Sequence, residues 1–153
     1  VGFFDGRIHV ASAAHPETEL RSLLFHEFTH AVFAERTGGD RPYWLNEGLA
    51  QYFEGREMDS HQKEMLRQLA QAGKVPALVE LEGSFMGLNG LQANYAYLLS
   101  MSAVRHMVDR YGMYRVKMVL EELSAGRDSS RAIDNALMIS LQEFEFGWKR
   151  SLE

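Results

Sequence analysis

From Pro16 onward, apolar side chains return every three or four residues and glycines close the runs, a pattern that commits most of the chain to helix. Leu20, Leu24, Phe28 and Ala31 trace the first segment and Gly38-Gly39 ends it, which predicts a helix over 17–37. Further helices are predicted from about Tyr43 to Glu57, from Ser60 to Ala72 with Gly73 behind it, and from Leu91 to Tyr111 with Gly112 behind it. Two shorter ones fill Tyr114–Ala125 and Ser129–Leu137. Ser140-Leu141-Gln142-Glu143 is a capping box that opens a last helix, with Leu141, Phe144 and Trp148 on one face. Nearly all the β signal lies in Arg7-Ile8-His9-Val10, after the Asp5-Gly6 turn and pairing as a hairpin with Gly2 to Phe4. The expected class is mainly α, a helical bundle that is α+β only through this N-terminal strand remnant.

No repeat, low-complexity tract or linker divides the sequence, so residues 1–153 read as a single domain. A globule of this size hides about 70% of its unfolded surface in one core. Lys and Arg number 16 against 21 Asp and Glu, a net charge of −5 with no block of five like charges, and no nucleic-acid partner is expected. No apolar run approaches the roughly 20 residues of a membrane span. The chain has no cysteine, which removes disulfides, thiolate nucleophiles and Cys-based zinc sites while leaving the compartment open between cytoplasm and export. The N-terminal segment lacks signal-peptide features, and a first residue of Val suggests a processed product or a domain excised from a longer chain with flanking domains.

His26-Glu27-Phe28-Thr29-His30 carries the strongest chemical signal. Two histidines four apart on a helix lie about one turn from each other on the same face, where their imidazoles can converge on one metal ion. Zinc accepts neutral imidazole nitrogen at about 2.0–2.1 Å. Glu27 lies about 100° round the helix from His26, bordering the same cleft without being forced into coordination. That is the place of a general base for an activated water.

A zinc enzyme needs a third protein ligand. Trp44-Leu45-Asn46-Glu47-Gly48-Leu49-Ala50 opens a helix after the short turn from Gly38 to Pro42, which makes it an antiparallel neighbour of the first. Glu47, in its first turn, can face back toward the histidine pair. Alone, a Glu in that position would be read as compensating the helix dipole.

The two motifs in this order resemble those of the gluzincin metallopeptidases, most closely the aminopeptidase N-like and peptidase MA-like branches, with thermolysin more distant. The similarity runs from the first strand through Gly112. It implies a thermolysin-like catalytic subdomain, one zinc per chain on His26, His30 and Glu47, Glu27 as the base that activates the metal-bound water, and peptides or proteins as substrates. Tyr97, followed at the family's interval by Tyr111-Gly112, resembles the family's catalytic tyrosine, with Tyr95 the alternative. Glu54, seven residues past Glu47, matches the aminopeptidase-like pattern and is the candidate for orienting a ligand histidine. The 16 residues between His30 and Glu47 are slightly fewer than the family's common spacing. The Gly-x-Met-Glu-Asn segment that grips a free amino terminus in aminopeptidases is absent, with Gly2-Phe3-Phe4-Asp5-Gly6 in the corresponding region, so endopeptidase action is expected.

His106 is expected to point away from the cleft, nine residues and about 180° from Tyr97. His61 reads as a surface residue, His15 as a loop residue, and His9 as a lesser candidate for the cleft wall. Met101, Met107, Met113 and Met118 read as core filler. The glycine-punctuated stretch from Gly83 to Gly90 is either a plain connector or a mobile rim over the cleft. One other class stays open, a non-catalytic module whose metal clamps a docking surface.

Overall fold

The computed structural model describes the backbone of residues 2–4, 8–10 and 17–153, and side chains from residue 17 onward except Thr18. Strands β1 (Gly2–Phe4) and β2 (Ile8–Val10) pair antiparallel with Phe3 opposite His9, and this hairpin rests on helix α1 (Glu17–Thr37). Five helices follow: α2 (Tyr43–Glu54), α3 (Ser60–Gln71), α4 (Gly90–Ser124), α5 (Ser129–Leu137) and α6 (Leu141–Arg150). The protein is mainly α, a helical bundle with a strand pair at its start, as the apolar periodicity predicts. No helix among the described residues is long and apolar enough to cross a membrane.

Helix α2 is the middle of the fold, packed on α1 along one side and on α4 along the other. Trp44 and Leu45 are fully buried there beside Leu98, Met101 and Met107 of α4 and Phe144 and Trp148 of α6. Removing each such side chain from water contributes about 1.5–3 kcal/mol. The methionines of α4 sit in or against this core, as expected. Trp148 also hydrogen-bonds, its Nε1–H donating to Ser102 Oγ at 2.9 Å, which fastens the last helix to α4.

Three boundaries differ from expectation. Helix α2 stops at Glu54 because Gly55 takes a left-handed conformation (φ 79°), with Gly55 N–H donating to the Tyr52 carbonyl and Arg56 N–H to that of Gln51. The helices expected on either side of Gly112 join end to end in α4, which kinks there at φ 80°. The stretch from Gly83 to Gly90 contains a 3-10 turn over Phe85–Gly87, capped by Ser84 and anchored by buried Phe85.

Helix α1 departs from the usual amphipathic arrangement in part, burying Glu27 as well as Phe33. Leu24 and Phe28 of the apolar stripe are exposed at 42% and 56%, while Glu27 is only 4% exposed. The face of α1 that meets α2 carries its chemically active residues, so polar groups occupy the interior side.

Candidate metal centre

Antiparallel packing of α1 on α2 brings three predicted ligands together. The four-residue spacing on α1 puts His26 Nε2 and His30 Nε2 3.1 Å apart. Glu47, from the first turn of α2, points between them, with Oε1 3.8 Å from His30 Nε2 and Oε2 4.0 Å from His26 Nε2. The arrangement depends on a close approach behind Glu47, where Gly48 lies against the α4 backbone.

The outer nitrogens are fixed as well. Asn46 Nδ2–H donates to the Asp40 carbonyl at 3.1 Å, which turns Asn46 Oδ1 toward His30, 2.8 Å from its Nδ1. Oδ1 is an acceptor only, so His30 Nδ1 carries a proton. The Glu54 carboxylate likewise accepts from His26 Nδ1 at 2.9 Å. With Nδ1 of each ring donating outward, the two Nε2 atoms face one another at 3.1 Å, where either a proton or a metal ion can lie between them. Two donors on tetrahedral zinc, with bonds of about 2.0–2.1 Å, stand roughly 3.3 Å apart. The separations of 3.1, 3.8 and 4.0 Å bracket that value, and two imidazoles with a carboxylate are a donor set that suits zinc.

The electrostatics agree. Burial alone would lower the His26 pKa, but the hydrogen bond to Glu54 and the charges of Glu47, Glu54 and Glu27 outweigh it, and the net shift is upward. A proton and a metal compete for the same lone pair. Burial raises the pKa of Glu47, offset in part by His30, His26 and a hydrogen bond from Tyr43. A carboxylate held at that cost gains from a divalent partner.

These residues line a cleft of about 590 Å³ with Glu27, Tyr43, Gln51, Met86 and Tyr97 among its walls. Tyr97 comes from α4, its backbone carbonyl held by Gln51 Nε2–H at 3.0 Å and its ring edge-on to Phe85 at 5.3 Å. Burial and then the charge of Glu47 raise its pKa, so the phenol keeps its proton and remains a donor. Tyr95 packs against the core and is not part of the cleft lining. Met86, 92% exposed, stands at the cleft edge, so the Gly83–Gly90 stretch supplies a rim.

The sequence reading missed Asn46, Tyr43 and Arg56. Asn46 was legible as an amide beside the third ligand, but its task depends on a carbonyl at Asp40 that only the folded turn supplies. Tyr43 sits by the Glu47 carboxylate, and burial, followed by that charge, raises its pKa. His106 faces a different cavity, of about 690 Å³, between α3 and α4, as expected of a residue pointing away. His61 begins α3 on the surface. The side chain of His9, and His15, lie outside the described residues.

A family model for the peptidase MA superfamily matches residues 10–153. The chain belongs to the peptidase MA superfamily. No curated protein and no solved structure matches it. For a member of this superfamily of metallopeptidases, a His26, His30 and Glu47 group whose donor atoms lie within 4.8 Å of one another is the natural place for chemistry.

Proposed function

We propose that the protein is a zinc-dependent peptidase of gluzincin type, with His26, His30 and Glu47 holding one zinc ion and Glu27 acting as general base. The observation that carries this reading is the facing pair of Nε2 atoms at 3.1 Å, each ring held from behind at Nδ1 by its own acceptor. Zinc, when bound, supplies the Lewis acidity that activates water and polarises a carbonyl.

The chain's own residues do the rest. Glu27, buried beside the ligands, accepts the proton of the attacking water and returns it to the leaving amine. The Tyr97 hydroxyl donates to the oxyanion that develops on the substrate carbonyl. Glu54 and Asn46 keep the two imidazoles in the ligating tautomer. Unfolded proteins and peptides are the proposed substrates, cleaved at internal bonds.

The test compares wild type with Glu27→Gln at matched zinc content on casein. Loss of hydrolysis with zinc retained is expected. Equal rates would end the general-base assignment.

A further inference from the structure

Arg56 is the one Lys or Arg among the described residues that line the metal cleft, whose other charged walls are Asp40, Glu27 and Glu47. Among the described residues no carboxylate pairs with its guanidinium, in a chain where acidic residues outnumber basic ones by 21 to 16. Arg67, Arg105 and Arg127, by contrast, each take a carboxylate at 2.6–2.8 Å.

The root of this side chain is immobilised. Arg56 N–H donates to the Gln51 carbonyl at 3.1 Å, and the Arg56 carbonyl accepts from Arg105 Nη2 at 3.1 Å. Arg105 is itself held by Glu57 at 2.6 Å. A fixed backbone under a free guanidinium limits the ordering cost of binding to the side chain alone.

Position gives the cleft a direction. Asp40 precedes α2 next to the Asn46 and His30 side, whereas Arg56 follows α2 just past Glu54 and His26. The 12 residues of α2 span about 18 Å. Asp40 and Arg56 thus stand at opposite ends of α2, with the candidate metal ligands between them and the Glu54 carboxylate, engaged by His26, on the Arg56 side.

We propose that Arg56 determines specificity by taking a carboxylate of the bound peptide, while Asp40 disfavours the reverse polarity. This rests on the peptidase reading. A guanidinium offers two parallel N–H donors that match a carboxylate. The carboxylate is either the chain's C-terminus or an Asp or Glu side chain.

The probes are peptide hydroxamates, which chelate zinc at one end, with one to three residues leading to three alternative far ends: a free C-terminal carboxylate, a C-terminal amide, and an amide preceded by Glu. Calorimetric titration of the zinc-loaded protein measures binding without turnover. At one length or another, at least one carboxylate form should bind wild type about threefold to tenfold more tightly than the plain amide. The preference should shrink with salt. Arg56→Gln should abolish it at unchanged zinc content, and Arg56→Lys should keep part of it. Preference for the C-terminal carboxylate alone identifies a chain end as the ligand, and preference extending to Glu identifies a side chain. An unchanged ratio in Arg56→Gln, or no preference in wild type at any length, overturns the assignment while hydroxamate binding leaves the peptidase reading intact. Failure of every hydroxamate to bind zinc-loaded wild type removes both.

Discussion

Gly48 lies against Ser100 with no space for a side chain: a Cβ there would stand 2.4 Å from the Ser100 carbonyl oxygen and 2.4 Å from Val104 Cγ2. Backbone cannot yield as a flexible side chain would, so α2 and α4 can reach this separation only with glycine. Gly48→Ala should therefore cost about 1–3 kcal/mol, the usual penalty of overpacking. Because the neighbouring residue is Glu47, zinc affinity should fall with it. Urea unfolding with and without zinc checks both, and an unchanged midpoint would show that the helices separate freely.

Metal content should be one zinc per chain, lost in Glu47→Ala. Chelation should lower the melting temperature, since a ligand present at a hundred times its dissociation constant stabilises the native state by about 2.7 kcal/mol. Elemental analysis beside thermal unfolding measures it. Full zinc content in Glu47→Ala would remove Glu47 from the ligand set.

Asn46→Ala and Glu54→Ala should each weaken zinc binding about 10–100-fold while leaving the fold in place. The Nδ1 hydrogen bonds at 2.8 and 2.9 Å are what those substitutions delete. Competition with a chromophoric chelator reads the affinity. Wild-type affinity in both variants would mean that the imidazoles orient themselves.

Tyr97→Phe should lower kcat about 10²–10³-fold, the range for losing one oxyanion donor, with zinc binding untouched. Tyr95→Phe, away from the cleft lining, should leave kcat near wild type. Steady-state rates on a peptide substrate separate the two, and the reverse pattern would exchange their roles.

His106 offers a pH test away from the ligands. Burial, with the charge of Arg110 acting against that of Asp109, holds its pKa below the ordinary value. The unfolded chain then binds more protons than the folded one in the interval from that lowered pKa up to about 6.5. Stability should drop as pH falls through this interval and should do so less steeply in His106→Gln. Parallel pH profiles of unfolding free energy for the two proteins would refute the assignment.

Much of this was legible in the sequence. Most helix bounds followed from caps and glycines, the end of α2 and the passage through Gly112 excepted, and the nearness of His26, His30 and Glu47 followed from a four-residue spacing and a short turn. What escaped depended on tertiary placement. Apolar spacing marks Leu24 and Phe28 as helical, but it cannot tell that α1 buries Glu27 in their stead. Asn46 carries no mark of its role in the sequence, because its amide is oriented by the Asp40 carbonyl. Nothing in the local sequence distinguishes Arg56 from any surface arginine, because its meaning comes from a cleft assembled by three helices.

The indole of Trp148, bolted through Ser102 to the same helix that presents Tyr97, has a practical consequence for anyone trimming this protein. Cutting it back to the stretch that contains every signature residue would strip away Phe144 and Trp148 and open the core behind that helix to water. The folded unit extends well past its last recognisable motif.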